Sequence, residues 1–333
     1  MKEFPAGSVR FHKSARIEAE IPDLAAELIQ ALRERPDALE TPRTARLLGI
    51  LSAELGLRAA RQENRYSAEK STMHLSALHA HPDMSTGFEQ LQGAHCVDVG
   101  CGGLNPVGGL FVLLLAGAKS GVGVDLDELE SSTLAVRALY TSLCAVVTRT
   151  TRPKVPGSLK DIFDRIASFD VDKLAVGDAA GVDRSRLDFV QKPLAAAGIA
   201  PRSADILVSN SLLEHIPEPD ALIADMAVVT KTGALCVHNI DGVDHRWYAN
   251  RAMFQLEFLR EAEEQQMVFG CNRIPPLAFG EIFERNGFEV RGVREGPRIE
   301  LSEADIESFA PRFRDVGRDR REVLRARFYL RRR

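Results

Sequence analysis

Cysteine is scarce in this chain and none of it is paired by spacing. The five thiols, Cys96, Cys101, Cys144, Cys236 and Cys271, are scattered through 333 residues. An odd count without a C-x-x-C pair argues against a disulfide framework and against a zinc knuckle, and for reduced thiols in a cytoplasm. Long apolar runs are missing as well. The longest, around Val107–Ala118, is broken by glycines and too short to cross a bilayer. The opening MKEFPAGSVRFHKS lacks the apolar centre of a secretory signal. Nor is there an excess of one charge: 43 basic against 47 acidic residues leave a net charge of -4, so the surface as a whole is not built to embrace a polyanion. These absences predict a cytoplasmic protein with no membrane and no nucleic-acid partner. Arginine does crowd 312–333, but Asp315, Asp319 and Glu322 interleave with it, as in a solvated helix and edge strand. At 45 % hydrophobic, the chain has length enough for one large core and a cap.

What is present is a turn with a purpose. Residues 95–106 read HCVDVGCGGLNP. The apolar run Cys96–Val99 enters glycines 100, 102 and 103, a helical pattern follows over Leu110–Ala116, and a second apolar run ends on Asp125. Strand, tight turn, helix, and strand with a terminal carboxylate make half of a nucleotide-binding crevice. Glycine lets the backbone take positive φ and lets a ligand approach it. A dinucleotide fingerprint needs a third glycine where Asn105 stands, which disfavours NAD and FAD.

From residue 94 strands alternate with helices. The strand candidates are Ala94–Gly100, Ser120–Asp125, Leu174–Gly177, Asp205–Asn210, Ala234–Ile240, Phe288–Val293 and Ala326–Leu330. They predict an α/β fold with a doubly wound, mostly parallel, seven-stranded sheet over 91–333. Insertions are expected near 148–172 and 241–286, the second containing a helix over Arg251–Phe269 with Phe254 and Phe258 in its core face. Before residue 90 only helical spacing is seen: Ile21, Leu24, Leu28 and Leu32 ahead of Pro36, a second helix over about 42–60, and a third near Ser71–Ala80. Residues 1–90 are therefore read as a helical cap, either stabilising cover or substrate lid.

The segment VDVGCGG resembles motif I of the class I S-adenosylmethionine-dependent methyltransferases, and LLEHI (212–216) is similar to the "LEH" signature of their small-molecule branch. The resemblance implies a Rossmann-like sheet with a reversed last strand and S-adenosyl-L-methionine as cofactor. Carried over position by position, it puts Asp98 near the methionine ammonium. Gly100, Cys101, Gly102 and Asn105 form the turn, and Asp125, with Leu126 beside it, meets the ribose. Asp178, with Ala179 beside it, meets the adenine amino group, and Asn210 and Ser211 line the methionine side.

The segment HNIDGVDHRWY (238–248) resembles an H-x-I-D-x-x-D-H stretch of bacterial methyltransferases that accompany sugar and polysaccharide pathways, although Arg246 replaces an aromatic. The reaction expected is O-methylation of a small molecule or glycan hydroxyl. N-methylation of a small amine and non-catalytic binding of the cofactor are the alternatives. A hydroxyl acceptor needs a base. His245 is expected to be that base, oriented by Asp241 or Asp244, with His215 the second catalytic candidate and His95 structural. Magnesium held by two carboxylates and a histidine is the alternative, and no metal is expected, because three acids are already committed to the cofactor. Trp247 and Tyr248 could stack on the acceptor, Asn272 and Arg273 read as a turn, and a homodimer is allowed.

Overall fold

In the computed structural model, residues 68–333 are described, apart from positions 150, 263, 265 and 266. The helices expected before residue 61 lie outside the described residues. Two short helices open the described chain, α1 (Ala68–Ser71) and α2 (Met73–His79), followed by β1 (His95–Val99), α3 (Gly108–Leu115), β2 (Ser120–Asp125) and α4 (Ser132–Val147). Then come α5 (Leu159–Arg165), α6 (Val171–Val176), β3 (Leu187–Gln191), β4 (Ala204–Asn210), α7 (Pro219–Val229) and β5 (Thr230–Asp241). The chain ends with α8 (Arg246–Ala249), α9 (Phe279–Arg285), β6 (Phe288–Glu295), three short helices between 303 and 322, and β7 (Arg325–Arg332).

The strands form one sheet in the order β3-β2-β1-β4-β5-β7-β6. β1 pairs in parallel with both β2 and β4, and β7 runs antiparallel to both of its neighbours. The expected α/β doubly wound sheet with a reversed last strand is therefore the observed one. The order reverses around β1 and β4, so a crevice opens beyond their carboxyl ends. One face of the sheet is covered by the apolar helix α3, whose sequence GGLFVLLL is hydrophobic all round because it is buried all round. Residues 75–91 join this core: Leu75, Leu78 and Leu91 are fully buried in it. His81 reaches the carbonyl of Leu330 at 3.0 Å, and Asp83 pairs with Arg291. This part of the expected cap is thus built into the fold. The opposite face packs against α7 and α9.

Three expectations are corrected. The strand at Leu174–Gly177 is the end of α6: Asp170 caps its first turn and Gly177 closes it at φ 80°. That acid-to-glycine frame is a helix signature. The third strand is LDFVQ at Leu187–Gln191, a half-exposed sheet edge whose polar residues disguised it. Second, among the described residues of 251–269 the expected helix is replaced by turns and a 3-10 turn at Glu257–Arg260. Its carbonyls are taken elsewhere: Arg273 donates to those of Phe258, Glu261 and Ala262, and Ala310 N–H to that of Leu259. Phe258 is nevertheless buried, with Phe254 packed against the same satellite core. Third, the arginine-rich β7 is no edge strand but lies between β5 and β6.

Replacing Leu113, which is fully buried in α3, by alanine should cost about 2–5 kcal/mol through lost transfer energy and the cavity left behind. Urea unfolding would show it as a lower midpoint at unchanged slope.

Candidate functional site

β1 delivers the chain to Gly100 and β2 ends on Asp125, and the two strands are tied where they finish. Gly100 N–H donates to the carbonyl of Val124 at 2.8 Å, and Gly102 N–H donates to Asp125 Oδ2 at 2.6 Å. Asp125 Oδ1 accepts from the N–H groups of Leu126 and Asp127. Both glycines sit at φ 74°. A side chain at Gly100 would strike Leu212, whereas one at Gly102 would meet nothing within 4 Å, so the backbone there faces open space.

Two cavities straddle this turn and share Gly100 and Gly102. The larger, of 840 Å³, lies along Val124–Asp127, the Lys192–Leu194 segment after β3, and Ser211–Pro217. Leu126 lines it with 66 % of its surface exposed. The smaller, of 200 Å³, is lined by Ser71, His74, Asp98, Cys101, Asn105 and Asn210. The two cavities are lined by Asp98, Gly100, Cys101, Gly102, Asn105, Asp125, Leu126, Asn210 and Ser211, so the structure brings these candidates together in one trough. It does not gather Asp178 and Ala179. Asp178 caps a 3-10 turn that precedes β3, at the amino end of that strand. This displacement follows from the misplaced third strand. The segment that does arrive at the trough is Lys192–Leu194, with Gln191 donating to the carbonyl of Leu126. The alternation in LDFVQ was the signal for it.

His74, from α2, was also missed. Its Nε2 lies 2.7 Å from Asp98 Oδ2, in a nearly dry contact, while Asp98 Oδ1 is buried without a partner. Burial penalises the His74 cation, but the Asp98 carboxylate outweighs it and raises the imidazole above its ordinary value.

The histidines divide sharply. His95 bonds Ser120 at the start of β1, away from the carboxyl edge, and is structural as expected. His238 is fully buried, bonded to Ser209 and stacked on Phe283, and burial pushes it down to about 3, so it stays neutral. His215 and His245 meet edge to face, with ring centres 4.7 Å apart. His215 lines the larger cavity, and its Nδ1 is 2.8 Å from the carbonyl of Gly270, which makes Nδ1 the donor and leaves the Nε2 lone pair free. His245 Nε2 is buried without a partner, and burial, with His215 beside it, lowers its pKa.

Neither expected carboxylate orients His245. Asp244 is fully buried and forked by the Arg246 guanidinium, and Asp241 receives Tyr248 Oη and Arg325 Nε. Among the described residues one group could hold a metal: the ligand atoms of His215, His245 and Cys271 lie within 4.8 Å of one another, a nitrogen and sulfur set suited to zinc. Trp247 and Tyr248 carry the Arg251 guanidinium on their rings. Asn272 does more than turn the chain: its amide donates to the carbonyls of Leu213 and Ile216, fastening the insertion to the LEH turn.

A Rossmann-like sheet, a glycine turn at its switch point and a carboxylate ending the second strand define the class of folds that take a nucleoside cofactor at the carboxyl edge of the sheet. The methyltransferase-domain family matches residues 62–293, and the chain belongs to that family. It is a methyltransferase, with S-adenosyl-L-methionine as its cofactor. Solved structures with a similar course include an S-adenosylmethionine-dependent methyltransferase from Mesorhizobium loti (15 % identity, 78 % of this chain and 100 % of that one, TM-score 0.41). Another is a SAM-dependent methyltransferase from Methanosarcina mazei (14 % identity, 72 % and 93 %, TM-score 0.39). No curated protein matches the chain. No helix among the described residues is long and apolar enough to cross a membrane.

The His74–Asp98 pair should be pH-dependent. Because His74 is raised in the folded state, its contribution is fully present below the ordinary imidazole value and is lost as pH climbs through the raised one. Wild type should exceed His74→Gln by about 1–3 kcal/mol at pH 6. Urea titrations should show the gap closing towards pH 9; a constant gap would mean the pair is not ionic.

Proposed function

We propose that this protein transfers the methyl group of S-adenosyl-L-methionine to a hydroxyl of a small molecule or glycan, with His215 taking the proton. The observation that carries the reading is the fixed tautomer of His215: its Nδ1 is committed to the Gly270 carbonyl on the wall of the larger cavity, so Nε2 is the acceptor. His245 packs behind it and holds the ring in place.

The chain fits the cofactor. The unpartnered, buried Asp98 Oδ1 suits an ammonium, the open backbone at Gly102 admits a chain passing over it, and exposed Leu126 offers an apolar surface to a purine. Asp125 would hold the ribose through Oδ2, which accepts the Gly102 N–H and keeps a further lone pair, whereas Oδ1 is already engaged by the N–H groups of Leu126 and Asp127. Lys192–Leu194, in place of Asp178 and Ala179, would border the purine edge. When bound, the sulfonium would supply an electrophilic methyl group for transfer to the acceptor oxygen, the S–CH3 electron pair leaving on the sulfur of S-adenosylhomocysteine. The protein's part is to align that oxygen, exclude water and remove its proton. We place the enzyme in a cytoplasm, where its five thiols stay reduced, with no nucleic-acid partner.

His215→Gln should lower kcat by about 100- to 10,000-fold with acceptor in excess, while S-adenosylhomocysteine binds as in wild type. Asp125→Ala should do the reverse, weakening S-adenosylhomocysteine at least tenfold by calorimetry. Unchanged turnover in His215→Gln would favour an amine acceptor. Zinc retained through dialysis and lost in Cys271→Ala would reassign both imidazoles as metal ligands.

A further inference from the structure

One row of the sheet leads away from the smaller cavity at the carboxyl edge. Asn210 on β4 stands opposite Asn239 on β5, Asn239 opposite Arg327 on β7, and Arg327 opposite Arg294 on β6. Residues opposite one another in register share a face of the sheet. The first three side chains are joined in series. Asn239 Nδ2 donates to Asn210 Oδ1 at 2.9 Å, and Arg327 Nε donates to Asn239 Oδ1 at 2.5 Å. Asn210 lines the smaller cavity with Asp98 and His74. Arg327 is near enough for its charge to oppose that of His74. The ladder thus connects the residues around Asp98 to a half-buried guanidinium whose Nε is already spent and whose terminal nitrogens remain available.

Two guanidiniums directly opposite each other repel, at a cost to the sheet. The flanking arginines are compensated: Arg325 by Asp241, Arg291 by Asp83 and Glu289, Arg298 by Glu295. Among the described residues Arg327 and Arg294 have no acidic partner. A like-charged pair, one member of it fixed by an amide ladder that reaches a cofactor cavity at Asn210, is what an anion-binding wall requires.

Resting on the methyl-transfer reading, we propose that the acceptor carries an anionic group, a carboxylate or a phosphate, held between the guanidiniums of Arg327 and Arg294, with Asn239 fixing the first of them. This narrows the substrate class: a neutral sugar or alcohol would leave both charges unanswered, whereas a sugar acid, hydroxy acid or phosphorylated hydroxyl compound would answer them. Asn239 is a positioning residue in this scheme, and the two arginines are binding residues.

The test uses the full chain saturated with S-adenosylhomocysteine and titrated by calorimetry with phenyl phosphate, benzoate and, as the neutral control, benzyl alcohol. Saturable binding of at least one anion is expected, with none for the alcohol. Arg294→Gln, at an exposed position, and Arg327→Gln should each weaken the anion at least tenfold. Arg327→Lys should lose less than Arg327→Gln. S-adenosylhomocysteine affinity should hold in every variant, which also reports that each is folded. Which anion binds more tightly distinguishes phosphate from carboxylate. No saturable anion binding by wild type, or affinity unchanged in both glutamine variants, would overturn the proposal. Anion binding in a protein that takes up no S-adenosylhomocysteine would overturn the acceptor assignment by removing methyl transfer itself.

Discussion

The Asp125 carboxylate is the tie on which the site depends. It closes β2, accepts the Gly102 N–H and, through its other oxygen, fixes the two residues that follow it. Together with the bond from Gly100 to Val124 it holds the turn after β1 against the end of β2. Without it, the loop would have no reason to keep its backbone turned towards open space. The two cavities meet at this turn, one on each side, because β1 is the strand about which the sheet order reverses.

The second organising device is the insertion after β5. It has little regular structure of its own, yet it is fixed. Asn272 clamps the LEH turn, and Arg273 donates to three carbonyls of the insertion, those of Phe258, Glu261 and Ala262. These bonds place the Gly270 carbonyl against His215 and press His245 against the same ring. The acids of the DGVDH segment serve this scaffold rather than the imidazoles. Asp244 anchors Arg246, and Asp241 gathers Tyr248, Arg325 and, by its own N–H, the buried Glu214, whose carboxyl is pushed up to about 8 by burial and by the Asp241 charge.

The glycine turn and its acid were legible because they are local: strand, turn, helix and strand occupy one stretch of about 30 residues, each with its own pattern. β3 was not, because an exposed edge strand tolerates polar residues, whereas LAVG is an apolar run that happens to end a capped helix. The misplacement carried Asp178 into a role its position does not support. The 251–269 segment was misread for another reason. Helical spacing of Phe254 and Phe258 is compatible with a 3-10 turn whose carbonyls are claimed by Arg273 and Ala310, and no local pattern announces such claims.

By itself the sequence determined the fold class, the position of the cofactor turn and the carboxylate that closes it, since these follow from periodicity and from backbone conformations that few residues allow. Only the tertiary structure decided which histidine faces the trough, that His74 rests on Asp98, and that Arg327 and Arg294 stand opposite each other in register with no acidic partner among the described residues. Those are pairings across 55, 24 and 33 positions of chain respectively, if His215 is measured to Gly270. Contacts of that range are set by strand order and register, which no single stretch of sequence encodes.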